Sequence, residues 1–96
     1  MADKITTKEL MSQKKDFVII DVREFDELEG GIIENSTHMP LGLCIRNIKK
    51  KQIDDMKDIK ICTYCGTGYR GNIAADELIK EGFYAVTLEG GYSNWM

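Results

Sequence analysis

The sequence predicts an α/β protein: an open, mainly parallel sheet of about five strands with helices on both faces. Three observations carry this. Compact apolar runs containing β-branched residues, FVIIDV (Phe17 to Val22), IKICTY (Ile59 to Tyr64) and YAVTLE (Tyr84 to Glu89), are separated by stretches with helical spacing. FVIIDV is nearly continuous rather than alternating, as in a strand covered on both faces. Strands joined through helices pair in parallel by right-handed crossovers. At 96 residues the chain is long enough for one modest core and too short for two, so residues 1–96 read as one domain.

Each element has a local reason. Thr6-x-x-Glu9 is a capping box and opens a short helix to about Lys14. FVIIDV follows as a buried strand. REFDELEGG (Arg23 to Gly31) is expected to form a short helix closed by Gly30 and Gly31. STHMPL offers a brief strand that ends at Pro40. From Leu43 to about Met56, apolar residues at Leu43, Cys44, Ile48, Ile53 and Met56 give an imperfect helical pattern. IKICTY is the next strand. NIAADELIKEG predicts a helix with Ile73, Ala74, Leu78 and Ile79 facing inward and Gly82 as its stop. YAVTLE is the last strand, and GGYSNWM turns into a short terminal helix.

Composition removes several function classes. Apolar residues at 43% and charged residues at 30% describe a soluble globular chain. Net charge is −3, and the short run Lys49, Lys50, Lys51 reads as a solvated face, so no nucleic-acid partner is expected. No apolar run approaches the roughly 20 residues of a membrane span. MADKITTKELMSQKK has no apolar segment of the signal-peptide kind. With three cysteines, an odd and small number, this favours free thiols in a reducing, cytoplasmic setting.

The chemistry concentrates in ICTYCGTGYRG (Ile61 to Gly71), placed at the carboxyl end of a strand, where open α/β sheets carry their sites. Three chemistries compete for it. Gly66-x-Gly68-x-x-Gly71, followed by a helix and a strand ending in Glu89, resembles a dinucleotide-binding turn. Such a turn normally opens its domain, however, and here only seven residues follow Glu89. Cys62-x-x-Cys65 has the spacing of a redox pair, but Cys62 falls inside the strand, where a small buried thiol is the plainer role. Cys44, Cys62, Cys65 and His38 lack the paired spacing of a zinc site.

A nucleophilic cysteine in an anion cradle accounts for every loop residue. Cys65 follows the strand end and is expected to present its thiol at the edge of the sheet. Gly66 and Gly68 let the backbone curl with its N–H groups inward. The helix starting near Gly71 aims its positive end at the same spot, and Arg70 adds a fork-shaped cation for an oxyanion. These features favour negative charge at the thiol and an anionic group beside it.

Four stretches in order resemble the single-domain rhodaneses, a family of sulfurtransferases. DVREFDE (Asp21 to Glu27) resembles the signature after the family's first buried strand. GIIENSTHMPL (Gly31 to Leu41) resembles its G-H-I-x-G-A-x-N-I-P-L segment, with Ile32, Glu34 and Asn35 departing from it. CGTGYRG resembles the active-site loop, and LEGGYSNW the closing L-x-G-G-x-x-x-W. Trp95 is followed only by Met96, where relatives run on, so one wall of the pocket is expected to be more open or completed by another chain.

The resemblance implies a rhodanese-like fold and transfer of a sulfane sulfur from thiosulfate or a persulfide donor. The acceptor would be cyanide, a thiol or a sulfur-carrier protein. Cys65 would carry the sulfur, and Gly66, Thr67, Gly68, Tyr69 and Arg70 would bind the substrate. No metal or organic cofactor is required. Two alternatives stay open: a non-catalytic interaction module, and a phosphatase or arsenate reductase built on the same loop. Against the second, the loop from Cys65 to Arg70 has six residues, one fewer than the C-x5-R loop of related phosphatases. Asp21 and Arg23 are expected to form a structural ion pair, with Arg23 a candidate supporting residue. His38, Tyr92 and Trp95 read as structural, and Cys44 as a partly buried thiol.

Overall fold

The computed structural model describes residues 2–95, and those residues form a single five-stranded sheet in which every pairing is parallel. The strands are β1 (Asp3–Ile5), β2 (Phe17–Asp21), β3 (Thr37–His38), β4 (Lys60–Tyr64) and β5 (Tyr84–Leu88). The helices are α1 (Thr7–Gln13), α2 (Leu41–Lys49), α3 (Tyr69–Lys80) and α4 (Tyr92–Trp95). Strand order is β1-β5-β4-β2-β3, so β4 lies in the middle, flanked by β2 and β5. Among the described residues no helix is long and apolar enough to cross a membrane.

Helices cover both faces, as the continuous apolar strand implies. On one face Ile20 of β2 and Ile61 of β4 pack with Cys44 and Ile48 of α2 and Ala74, Ala75 and Leu78 of α3. On the other, Ile19 and Cys62 pack with Leu10 of α1, Leu88 of β5, and Tyr92 and Trp95 of α4. Tyr92 and Trp95 are thus packing residues. The alternation is the two-residue period of a strand: Ile19 and Ile20, like Ile61 and Cys62, serve opposite cores.

The capping box of α1 is present, with Thr6 Oγ1 accepting from Glu9 N–H and Glu9 Oε1 accepting from Thr6 N–H. Other elements differ from the sequence expectation for local reasons. β1 is unforeseen, because three residues pairing on β5 carry too little pattern to read. The helix expected over Leu43 to Met56 is α2, beginning at Leu41 and stopping at Lys49. Lys51 takes a left-handed φ of 59°, and Gln52 N–H and Lys51 N–H close back on the carbonyls of Asn47 and Ile48. That is a Schellman stop without the usual glycine. Its apolar continuation, Ile53 and Met56, belongs to a separate turn and a 3-10 helix over Asp54–Asp58. REFDELEGG is a 3-10 helix over Phe25–Gly30, capped by Glu24 and Glu27 rather than a full α-helix. In α3 the inward face is Gly71, Ala74, Ala75 and Leu78, while Ile79 is 43% exposed. Cys44 is fully buried rather than partly so, and burial pushes its thiol up to about 11.

Candidate active site

Cys65 directly follows β4, at the carboxyl end of the central strand, and the loop Gly66–Gly68 carries the chain into α3. Gly68 is the cap residue of α3, and its φ of 110° lies in the region that a side chain disfavours. This turn brings the Gly68 N–H to 3.1 Å from Cys65 Sγ, so the first free amide of a twelve-residue helix points at the sulfur. Gly66, also expected to curl the loop, has no left-handed backbone. A side chain there would instead face the Arg70 and Glu27 termini, 3.9 Å from an added Cβ.

The thiol is not presented at an open edge. Cys65 is 1% exposed, lying beneath its own loop at the margin of the core shared with α2 and α3. Two further strands flank β4 on each side, so the end of this strand is an interior position. Cys62 belongs to the opposite core, and burial pushes its thiol up to about 12. An odd spacing along a strand separates the two sulfurs across the sheet, which disposes of a redox pair. All three cysteines are free.

The loop is held from outside by α4, an arrangement that sequence reading did not identify. Tyr92 N–H donates to the Cys65 carbonyl at 2.8 Å and Ser93 N–H to the Gly66 carbonyl at 3.0 Å. In a trans peptide the N–H that follows a carbonyl points the opposite way. The N–H groups of Gly66 and Thr67 are therefore turned away from α4. Among the described residues, the N–H groups of Gly66, Thr67, Tyr69 and Arg70 have no protein acceptor, which leaves a row of donors for an anion. The clamp demands close approach: a Cβ on Gly91 would collide with the Cys65 carbonyl oxygen and the Gly66 backbone. The second glycine of LEGG is the sequence trace of that contact. From below, Thr63 Oγ1 donates to the Gly71 carbonyl at 2.7 Å and Thr87 Oγ1 to the Thr63 carbonyl at 3.2 Å, tying the first turn of α3 to β4 and β5.

Arg70 is placed differently from the expectation of a free oxyanion clamp. Its Nη1 and Nη2 donate to the two carboxylate oxygens of Glu27 at 2.6 and 2.7 Å, a bidentate pair with both side chains about one-third exposed (31% and 35%). Arg70 holds the Glu27 carboxyl down to about 2. Glu27 stands in DVREFDE, but nothing in the chemistry of that stretch marks it as a site residue. Thr67 and Tyr69 are exposed, Tyr69 at 75%, and with Gly68, Lys4 and Asn72 they line a hollow on the β5 side of the loop.

The expected Asp21–Arg23 ion pair is present and buried, with Arg23 4% exposed. Arg23 Nε and Nη2 reach the Asp21 carboxylate, and Tyr64 Oη donates to Asp21 Oδ2 at 2.7 Å. Arg23 Nη1 and Nη2 also donate to the carbonyls of Glu27 and Gly31 at 3.2 and 2.9 Å. The guanidinium lies 4.5 Å from the Tyr92 ring centre. Arg23 thus reaches the loop only at second hand, by fixing the backbone of Glu27. His38 Nε2 lies 2.7 Å from the Arg23 carbonyl, part of the same scaffold.

Known proteins share this fold. The rhodanese-like domain profile matches residues 6–96. The thiosulfate sulfurtransferase GlpE of Coxiella burnetii is 31% identical over 84 residues, covering 86% of this chain and 75% of that protein. A rhodanese-related protein from Thermoplasma volcanium superposes with a TM-score of 0.83 at 31% identity, covering 97% of this chain and 89% of the other. A rhodanese-like domain protein from Staphylococcus aureus gives 0.81 at 28% identity, covering 98% and 91%. Sequence and backbone agree on descent, and the chain belongs to the rhodanese-like domain family.

Proposed function

We propose that the protein is a sulfurtransferase that carries a sulfane sulfur on Cys65. The observation that supports this most directly is the 3.1 Å hydrogen bond from Gly68 N–H to Cys65 Sγ, in a loop whose neighbouring amides have no protein acceptor. Negative charge at the sulfur, or on a second sulfur beyond it, meets aligned donors that need no rearrangement.

The reaction is a double displacement. The Cys65 thiolate attacks the outer sulfur of a donor such as thiosulfate. A new S–S bond forms to Cys65, the donor's S–S bond breaks, and sulfite leaves with the electron pair. Cys65 then carries a persulfide whose terminal sulfur lies among the loop amides. A thiophilic acceptor (cyanide in an assay, a thiol or a sulfur-carrier protein in a cell) attacks that terminal sulfur, and Cys65 leaves as the thiolate. No electrons are gained or lost overall, and no cofactor is called for.

The test is intact mass after incubation with thiosulfate and removal of excess donor. One added sulfur atom is expected, discharged by cyanide and missing in Cys65→Ala, whose circular dichroism should remain native. An unmodified mass after thiosulfate and after a thiol persulfide alike would overturn the proposal. The same preparation should not turn over an aryl phosphate: the loop is short, and Arg70 already spends its fork on Glu27. Phosphate turnover that depends on Cys65, without sulfur transfer, would assign the loop to phosphate chemistry instead.

A further inference from the structure

Taking Cys65 as the sulfur carrier, we infer that Glu27 is a specificity-determining residue: by masking Arg70 it turns the loop away from dianionic thiosulfate and toward thiol persulfides as the preferred donor.

Charge around the thiol supports this. Thiosulfate arrives with two negative charges and leaves both on sulfite, so an efficient thiosulfate site needs cations near the loop. Arg70 is the cation of this loop, and both of its terminal nitrogens are bound to Glu27. The carboxylate cancels the guanidinium at the point where a Gly66 side chain would otherwise project. Glu24 also acts on Arg70 electrostatically, and Glu24 and Asp26 are exposed on the same short segment. Lys4 lines the hollow on the opposite flank, a single exposed amine beyond Thr67 and Gly68. The mouth is therefore close to neutral or acidic on the Arg70 side.

Glu27 is also held in place rather than paired by chance. Its backbone carbonyl accepts from buried Arg23, and its Oε1 accepts from Glu24 N–H at 3.0 Å. A thiol persulfide fits such a mouth better than thiosulfate does. The Cys65 thiolate attacks the terminal sulfur of R–S–S–H, forming Cys65–S–S–H and breaking the donor's S–S bond. The leaving group is one thiolate, which takes up a proton from water, and the loop amides alone suffice for the charge.

The experiment compares thiosulfate with the persulfide of mercaptoethanol, a small neutral thiol, under one cyanide or thiol acceptor. For the unmodified protein, kcat/KM is expected to be at least about tenfold higher with the persulfide. Glu27→Gln keeps Oε1, the acceptor for Glu24 N–H and Arg70 Nη1, but removes the negative charge and the bond to Arg70 Nη2, so the guanidinium charge is unmasked. It should lower KM for thiosulfate about three- to tenfold at low salt, a gain that shrinks as ionic strength rises. In an Arg70→Gln background the same change should leave that KM where it was. A preference for thiosulfate in the unmodified protein would overturn the inference, as would an equal loss of kcat with both donors in Glu27→Gln. Should neither donor leave a sulfur on Cys65, the sulfurtransferase reading itself falls.

Discussion

Arg23 and Arg70 each grip a carboxylate beside the carboxyl ends of β2 and β4, yet the two pairs are built for different ends. Arg23 is 4% exposed, binds Asp21, reaches two backbone carbonyls and lies against the Tyr92 ring. Arg70 is about one-third exposed and holds only the carboxylate of Glu27. Glu27 joins them, offering its carbonyl to one arginine and its carboxylate to the other. The buried pair fixes where the exposed pair stands. The exposed pair, washed by solvent, contributes little to stability and is therefore free to serve specificity. Burial decides which arginine is scaffold and which is adjustable.

The largest expected effect comes from breaking the buried side. Arg23→Leu leaves the Asp21 carboxylate without its counter-ion in a position that water does not reach. A buried charge stripped of its partner costs about 3–5 kcal/mol, far beyond the worth of the pair itself. Urea unfolding should show the midpoint falling accordingly. A loss under about 1 kcal/mol would mean that the two arginines are equivalent after all.

Removing one hydroxyl from the same network should cost less. Tyr64 Oη donates to Asp21 Oδ2 at 2.7 Å and accepts from the N–H of buried Ile33 at 3.1 Å. Tyr64→Phe keeps the ring packing of a fully buried side chain but leaves the Ile33 amide without an acceptor. The expected loss is about 1–3 kcal/mol, read from the same unfolding curves. No change would mean that water replaces the hydroxyl, and the network would be less closed than its burial indicates.

How much of this was legible from sequence follows the same division. Asp21 and Arg23 could be paired in advance because both sit in a motif at the end of an apolar strand. Cys65 and Gly68 could be read because a thiol before a glycine turn has a definite chemical meaning. Glu27 and Arg70 lie 43 residues apart, and no local pattern says that their side chains meet. The clamp of Tyr92 and Ser93 on the loop carbonyls uses backbone atoms, which leave no mark except the glycine forced at Gly91. β1 is three residues long and owes its existence to the β5 edge, and the stop of α2 at Lys49 depends on a lysine adopting a glycine-like conformation. Long apolar runs and motifs with covalent chemistry were readable, whereas distant polar pairings and short edge elements were not.

The smallest expected effect is on the exposed pair, and its pH dependence separates pairing from mere proximity. The Glu27 carboxyl has its folded value depressed to about 2, against 4.5 for the free group, chiefly by the hydrogen bonds from Arg70. A depressed carboxyl stabilises the fold above its unfolded value and loses that contribution as pH falls toward its folded value. The pair's contribution should therefore be complete above about pH 5 and fade between pH 4.5 and about 2. Because both side chains are about one-third exposed, screening keeps the whole contribution under about 1 kcal/mol. Glu27→Gln should accordingly lie slightly below the unmodified protein in stability at pH 7, with the gap narrowing through that acidic window. Chemical denaturation at several pH values measures it. A gap that stays constant down to pH 2 would show that the carboxylate charge of Glu27 contributes nothing through Arg70, and the adjustable character assigned to Arg70 would have to be abandoned.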